Sequence, residues 1–189
     1  CVIQLGHIGG ANWTGEMSHI SVFGNTLDLA TTTTEFGFFF SGMSNGRVHY
    51  NNAEYVENGF FWSNGNSIVS IVTMNTTGNT LRGFYQEFTT STQMVSNFAV
   101  RPKLLGFGWC GHYSQFSSNA VDHLGTDGTN TDIPIAYDIS GCFGGEVSGN
   151  GAEFGLRGCV MKISGCRDLT ISENATLCHN IDYVVGRDT

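Results

Sequence analysis

The residues whose types and spacing best suit ligand chemistry lie between Leu104 and Gly128, in the stretch LLGFGWCGHYSQFSSNAVDHLGTDG. An apolar, strand-like run enters a loop rich in Gly, Ser and Asn, and Asp122 follows directly. An ionised Asp accepts two hydrogen bonds from adjacent hydroxyls, while a loop of this kind offers backbone N–H donors. This combination suits the vicinal hydroxyls of a sugar. The candidate carbohydrate-binding residues are Ser118, Asn119, Ala120, Val121 and Asp122.

Each polar or aromatic side chain near this loop also has a structural interpretation. Asp122 could instead cap a turn by accepting hydrogen bonds from backbone N–H groups. Trp109 and Tyr113 could stack on a sugar face, or they could belong to the core and its rim. His112 and His123 could contact a ligand or a metal, although isolated histidines are more often structural or exposed.

Oxygen ligands alternate in Asp127-Gly128-Thr129-Asn130-Thr131-Asp132, as in a loop that binds a hard cation. The Glu that completes a calcium loop does not follow, so a solvated acidic turn is favoured, and we predict no metal site and no cofactor. The sequence contains no G-x-S-x-G, H-E-x-x-H or phosphate-binding glycine motif. A glycosidase needs two carboxyl groups that flank the bond it cleaves. Asp122 could form such a pair with Glu87 or Asp138, but no spacing in the sequence supports it. The sequence therefore predicts a non-enzyme.

Composition and charge exclude several classes of partner. The 189 residues carry a formal net charge of −8, and the 8 Lys and Arg residues are scattered singly. Because no basic patch could neutralise a phosphate backbone, nucleic acid is not an expected partner. No apolar run approaches the length needed to span a bilayer, so we also expect no membrane span.

Cysteines and possible glycan acceptors indicate an oxidising, extracellular setting. The six cysteines form an even set without a C-x-x-C pair, which predicts three disulfides and a secreted protein. Three N-x-S/T patterns predict glycosylation, at Asn12, Asn75 and Asn174, with Asn75 expected in an exposed loop. The first residues lack the basic and apolar regions of a signal peptide, so we expect that any signal peptide has been removed. The cysteines are Cys1, Cys110, Cys142, Cys159, Cys166 and Cys178.

The distribution of strand and turn residues predicts an all-β fold. With 26 Gly, 14 Phe and many Thr, Ser and Asn, the chain has few helix formers. Turn signals recur every eight to twelve residues, among them the hairpin signal Asn45-Gly46, and 36–40 reads as a buried strand. The expected fold is a single prism- or sandwich-like domain, with residues 1–138 forming its body. Residues 139–189 are expected to supply closing strands and a disulfide-stapled C-terminal extension of the same domain.

The order of these segments resembles the jacalin-related lectins, a β-prism family of sugar-binding domains. The resemblance covers about the first two thirds of the chain. It implies that a late loop, here Ser118 to Asp122, and an N-terminal Gly9 or Gly10 hold one monosaccharide. Ser118 stands where the family has Gly, and the cysteine-rich tail has no counterpart in the family. The segments that carry the resemblance are Gly9 to Trp13, Ile20 to Asn25, Ser67 to Ile71, Thr80-Leu81, Leu105 to Gly108 and Ser118 to Gly125.

A second function class is also consistent with the sequence: an extracellular structural subunit of a filament, coat or matrix. Low charge, abundant Gly and Thr and an apolar N-terminal strand suit such a protein. Val2 to Leu5 could complete the sheet of a neighbouring chain, which would produce a homo-oligomer or polymer. The first hypothesis therefore expects glycan partners, and the second expects further copies of this chain.

Overall fold

The computed structural model describes residues 3–5, 17–18, 21–28, 35–40, 43–62, 67–68, 71–125, 133–154, 158–177 and 184–185. Within these ranges the chain forms strands and no helix, which confirms the all-β prediction. The strands are β1 Ile3–Leu5, β2 Met17–Ser18, β3 Ser21–Phe23, β4 Thr26–Asp28, β5 Phe36–Phe40, β6 Met43–Ser44, β7 Arg47–His49, β8 Asn52–Glu54, β9 Asn58–Trp62, β10 Ser67–Ile68, β11 Ile71–Thr73, β12 Thr76–Gly78, β13 Arg82–Thr90, β14 Gln93–Val95, β15 Phe98–Val100, β16 Leu105–Ser117, β17 Ala120–Leu124, β18 Ile135–Ser140, β19 Phe143–Ser148, β20 Gly151–Phe154, β21 Cys159–Ser164, β22 Arg167–Ser172, β23 Ala175–Leu177 and β24 Val184–Val185.

These strands build a β-solenoid, in which successive coils of the chain stack on one another. Every pairing among the described strands is parallel and joins equivalent strands of neighbouring coils. The first column of stacked strands contains β1, β5, β9, the start of β13, the start of β16, β18, β21 and β24. The second contains β3, β7, β11, β14, the end of β16, β19 and β22. The third contains β4, β8, β12, β15, β17, β20 and β23.

The predicted prism or sandwich is therefore wrong, and so is the β-prism fold that the resemblance implied. The Asn45-Gly46 turn does not join an antiparallel hairpin, because β7 pairs in parallel with β3 and β11. The predicted turns do lie between strands, but they form corners of a coil and not the tips of hairpins. The expected division at residue 138 falls inside β18, and the strands from β19 to β23 continue all three columns.

The corner between the second and third columns repeats one local structure in every coil. A residue with positive φ is followed by an asparagine whose side chain turns inward. Only Gly adopts this conformation without steric cost, so the non-glycine residues here require compensation from the asparagine that follows. The positive-φ residues are Gly24, Tyr50, Met74, Ser96, Ser118, Gly149 and Glu173.

The asparagines form a continuous hydrogen-bonded ladder along the solenoid. At a typical rung, the Asn75 backbone N–H and Nδ2 both donate to Asn97 Oδ1, at 3.1 and 3.0 Å. Asn75 Nδ2 also donates to Val48 O of the preceding coil, at 2.9 Å. Successive members are separated by 26, 24, 22, 22, 31 and 24 residues, so the coil after Asn119 carries the one long insertion in the ladder. The ladder consists of Asn25, Asn51, Asn75, Asn97, Asn119, Asn150 and Asn174.

Stacked aromatic rings fill the core beneath the first column. Phe38, Phe60, Phe84, Phe107 and Tyr137 occupy one register position, with successive ring centroids 4.5, 5.0, 4.7 and 5.6 Å apart. Parallel in-register strands lie about 4.8 Å apart, so like residues meet face to face. Each such contact contributes about 0.5–1.5 kcal/mol beyond area burial. The Phe-rich sequence therefore builds the core, as the buried 36–40 strand predicted.

The predicted disulfides involve six cysteines, of which the structure describes four. Cys142, Cys159 and Cys166 are thiols, and Cys1 and Cys178 lie outside the described residues. The predicted disulfide-stapled extension is therefore not shown. Burial raises the pKa of Cys142 to about 12, with the neighbouring Cys166 and Cys110 contributing in the same direction. Within the described ranges, no helix is long and apolar enough to cross a membrane.

Candidate functional site

A groove of about 250 Å³ lies on the outer face of the third column. Its floor consists of Ala120, Gly151 and Ala175, which occupy one register position in three consecutive coils. Phe98 holds the same register position in the coil before them, and its exposed ring forms one wall. Small residues next to a large one at a single register position thus create the depression. Its volume lies just below the roughly 300–1,000 Å³ of drug-sized sites and suits one small ligand.

Two carboxylates line the rim of this groove, and an imidazole contacts one of them. Between Val121 and Leu124, β17 has a bulge, since those residues pair with Ala152 and Phe154 and leave two residues opposite one. The two residues in the bulge are Asp122 and His123, and the residue opposite is Glu153. His123 has φ 54, and its Nδ1 contacts Asp122 Oδ1. One ligand atom of each of these three side chains lies within 4.8 Å of the others.

The predicted backbone donors are not available to a ligand, so that part of the site hypothesis is wrong. Ser118, Asn119 and Ala120 form the ladder corner and enter β17, where their N–H groups bond to the protein itself. Asn119 is 1% exposed, and Val121 points into the core. The donated bonds are Ser118 N to Ser148 O at 3.0 Å, Asn119 N to Asn150 Oδ1 at 3.0 Å and Ala120 N to Asn97 O at 2.9 Å.

Asp122 keeps a position suited to ligand binding. Its side chain is 27% exposed and borders the groove. Among the described residues, no backbone N–H group is seen to donate to the Asp122 carboxylate, so the turn-cap interpretation has no support. The carboxylate instead contacts the His123 imidazole. The predicted N-terminal partners Gly9 and Gly10 lie outside the described residues, as does the acidic loop Asp127 to Asp132.

The other side chains singled out near the loop lie on different faces. Trp109 is 1% exposed and belongs to the core, whereas Tyr113 is 64% exposed and stands edge-on against Phe143. Tyr113 lines a separate, polar groove of about 480 Å³ on the second column, with Gln115. His112 contacts Gly141 O through Nε2 at 3.2 Å. None of these three side chains lines the Asp122 groove.

The carboxylates considered as partners of Asp122 lie elsewhere. Glu87 and Asp138 line a groove on the first column, where Asp138 Oδ2 accepts a hydrogen bond from Lys162 Nζ at 3.2 Å. Burial raises the pKa of Tyr85 in this groove, and the charges of Glu87 and Asp138 raise it further. The carboxylate that the structure brings to Asp122 is Glu153.

Two predicted glycan acceptors are ladder asparagines. Asn75 is 0% exposed, and its Nδ2 donates to Val48 O, Thr73 O and Asn97 Oδ1, so the expected exposed loop is wrong. A glycan on Nδ2 would replace these bonds and occupy the core. Asn174 is half-buried at the ladder's end, where its Nδ2 donates to Val147 O at 3.2 Å. Asn12 lies outside the described residues.

Sequence reasoning missed Phe98 and Glu153, although the sequence contains a signal for both. Aligning the chain on the ladder places Asn97, Asn119 and Asn150 at one position. The residues one position after Asn97 and Asn119 are Phe98 and Ala120, which therefore align. The residues three positions after Asn119 and Asn150 are Asp122 and Glu153, which therefore lie side by side. The ladder is not a fixed-period repeat in the sequence, because the spacing of its asparagines varies between 22 and 31 residues.

No protein-family model matches this chain, and no curated protein matches its sequence.

Proposed function

We propose that this chain is an extracellular, non-enzymatic carbohydrate-binding β-solenoid that holds one sugar unit in the groove between Phe98 and Glu153. The proposal rests on one observation: a single groove contains an exposed aromatic wall, a floor of small residues and two carboxylates at its rim. An apolar sugar face fits an aromatic ring, and hydroxyl groups donate to carboxylates.

The contacts available in the groove define the kind of recognition. Because the N–H groups of Ser118 to Ala120 bond within the protein, hydroxyl protons of the ligand would point toward Asp122 and Glu153. The imidazole of His123, which contacts Asp122, adds a donor or acceptor beside these carboxylates. A ligand with adjacent hydroxyls on one face and C–H groups on the other satisfies both sides of the groove. An exposed site of this size binds weakly, with a dissociation constant of roughly millimolar to micromolar order. Useful avidity would then require several copies of the chain.

Binding to a glycan panel tests the proposal with three variants. Asp122→Asn replaces an acceptor with an amide donor, which removes charge-assisted bonds worth about 1.5–3 kcal/mol and lowers affinity roughly tenfold to a hundredfold. Phe98→Ala removes the aromatic wall and weakens binding without changing charge. Glu54→Gln is the matched control, because Glu54 is another third-column carboxylate, hydrogen-bonded to Asn52, and lies outside the groove.

Two outcomes would overturn the proposal. If the parent protein binds no glycan, or if Asp122→Asn and Phe98→Ala bind like the parent, the groove is not a sugar site. Release of reducing ends from the panel would contradict the non-enzymatic part, since retaining glycosidases hold two carboxyl groups about 5–5.5 Å apart. The assay is needed because one carboxylate oxygen of Asp122 lies within 4.8 Å of one of Glu153.

The alternative, a self-assembling structural subunit, predicts large particles and no glycan binding. The N-terminal strand pairs with β5 of its own chain, Ile3 opposite Phe38. Assembly through that end would therefore extend the first column by pairing along an edge. Light scattering of the same preparation used on the glycan panel distinguishes the two functions. Titration of its thiols tests the extracellular, oxidised state.

A further inference from the structure

The bulge in β17 turns two consecutive side chains toward one side of the sheet. In a regular strand, Asp122 and His123 would point to opposite faces because side chains alternate. Here the pairing skips from Val121 to Leu124, and His123 adopts positive φ. Consequently Asp122 is half-buried, His123 is exposed, and the imidazole meets the carboxylate on the outer face.

Glu153 approaches the same point from the next coil. Its carboxylate, Asp122 and His123 each present one ligand atom within 4.8 Å of the other two. The side chains of Asp122 and His123 are 27% and 46% exposed, so modest rotations suffice to bring three atoms to a common centre. Two carboxylates at this separation repel each other, and a cation between them removes that repulsion.

We propose that Asp122, His123 and Glu153 bind one divalent transition-metal ion. Two carboxylate oxygens and one imidazole nitrogen form a mixed O,O,N set, which suits Zn²⁺, Co²⁺, Ni²⁺ or Mn²⁺. The imidazole disfavours Ca²⁺ and Mg²⁺, which take oxygen ligands. Three protein ligands leave at least one coordination position open toward the groove, for water or a ligand hydroxyl. The cation site stands on its own geometry and does not depend on whether the groove binds a glycan.

A Co²⁺ titration of chelator-treated protein, followed by visible absorption, tests this site directly. The expected result is saturation at one Co²⁺ per chain, with bands of a low-symmetry O,N site. His123→Asn removes the imidazole while retaining a residue that tolerates positive φ, and Glu153→Gln removes a charged ligand with little change in shape. Each variant is expected to weaken Co²⁺ binding at least roughly tenfold, by comparison with the 10–100-fold cost of losing an outer-shell partner.

Matched controls separate this site from other histidines and carboxylates. His112→Asn and Glu54→Gln change the same residue types outside the cluster and should bind Co²⁺ like the parent. Circular dichroism of each variant confirms that the fold is retained. Absence of saturable binding, unchanged affinity in His123→Asn, or a sulfur-to-metal charge-transfer band from cysteine ligation would overturn the proposal.

The two proposals fail separately. Glycan binding that persists after chelation, combined with no Co²⁺ binding, would overturn the metal site and leave the groove as a sugar site. Co²⁺ binding that is lost in Glu153→Gln, in a protein that binds no glycan, would support the metal site alone.

Discussion

Replacing Asn97 with Ala is the sharpest test of the ladder that holds the coils together. Asn97 is 1% exposed and lies in the middle of the ladder, directly before Phe98 of the groove wall. Its Oδ1 accepts from the Asn75 backbone N–H and from Asn75 Nδ2, at 3.1 and 3.0 Å. Its Nδ2 donates to Val72 O at 3.0 Å, Val95 O at 3.2 Å and Asn119 Oδ1 at 3.1 Å.

The expected loss of stability follows from the groups left without these bonds. Asn75 N–H and Val72 O lose the bond from this side chain in buried surroundings, and each unsatisfied buried group costs about 1–3 kcal/mol. Two such groups predict a loss of about 2–6 kcal/mol from the free energy of unfolding. Typical domains have only about 5–15 kcal/mol in total, so the variant should be severely destabilised. Asn97→Asp keeps the shape but places an oxygen against Val72 O, so it should cost a similar amount.

Urea unfolding followed by circular dichroism measures this difference, provided that the transition is two-state. Asn174→Ala provides an internal comparison, because Asn174 is half-buried at the end of the ladder and water can replace its bonds. It should cost less than half as much as Asn97→Ala. Asn52→Ala is the matched control outside the ladder: Asn52 is half-buried, and loss of its Nδ2 bond to Glu54 Oε1 should cost about 0.5–1.5 kcal/mol. Equal losses for all three variants, or a loss below about 1 kcal/mol for Asn97→Ala, would refute the ladder as the main polar support.

Further expected outcomes concern a glycan acceptor, a thiol and a glycine. Peptide mapping of protein from a eukaryotic secretory host should find no glycan on Asn75 in the folded fraction, because its Nδ2 donates hydrogen bonds to Val48 O and Asn97 Oδ1. A cooperatively folded species with a glycan on Asn75 would contradict this expectation. The pKa of Cys142 is about 12 in the folded state and near the ordinary value of 9.0 in the unfolded chain. The free energy of unfolding should therefore be unaffected by this thiol below pH 9 and should fall as the pH rises above 9. Cys142→Ala should flatten that fall in urea midpoints measured across alkaline pH, and an unchanged slope would exclude the thiol as a cause. Gly83→Ala would place Cβ 2.7 Å from Gly106 O and should destabilise by about 1–3 kcal/mol, while Gly151→Ala, whose nearest atom is 4.0 Å away, should not.

The all-β class was predictable from local chemistry, whereas the architecture was not. The strand at Phe36–Phe40 and the turn at Gly24-Asn25 follow from residue type alone. Hairpins and coil corners use the same turn residues, so Asn45-Gly46 could not distinguish antiparallel from parallel pairing. The distinguishing signal is an inward-facing asparagine that follows a positive-φ residue in each coil of the ladder. That signal depends on long-range stacking that single turns do not reveal.

The candidate site was only partly predictable for a related reason. Asp122 was found because it follows a conspicuous loop, but the roles assigned to Ser118 and Asn119 were wrong because that loop is a ladder corner. Phe98 and Glu153 come from other coils, so no local motif contains them. The bulge that turns His123 outward is visible in strand pairing and has no signature in a single strand's alternation.

The ladder and the groove rim depend on the same register. Asn119 bonds to Asn150, and three residues further along both strands Asp122 meets Glu153. A slip of one residue between these coils would turn the side chains of β20 to the opposite face and separate the two carboxylates. The ladder bond therefore stabilises the coil pair and also fixes which side chains meet on its outer face. A carboxylate pair assembled in this way belongs to the stack of coils, and its geometry should be lost together with cooperative folding.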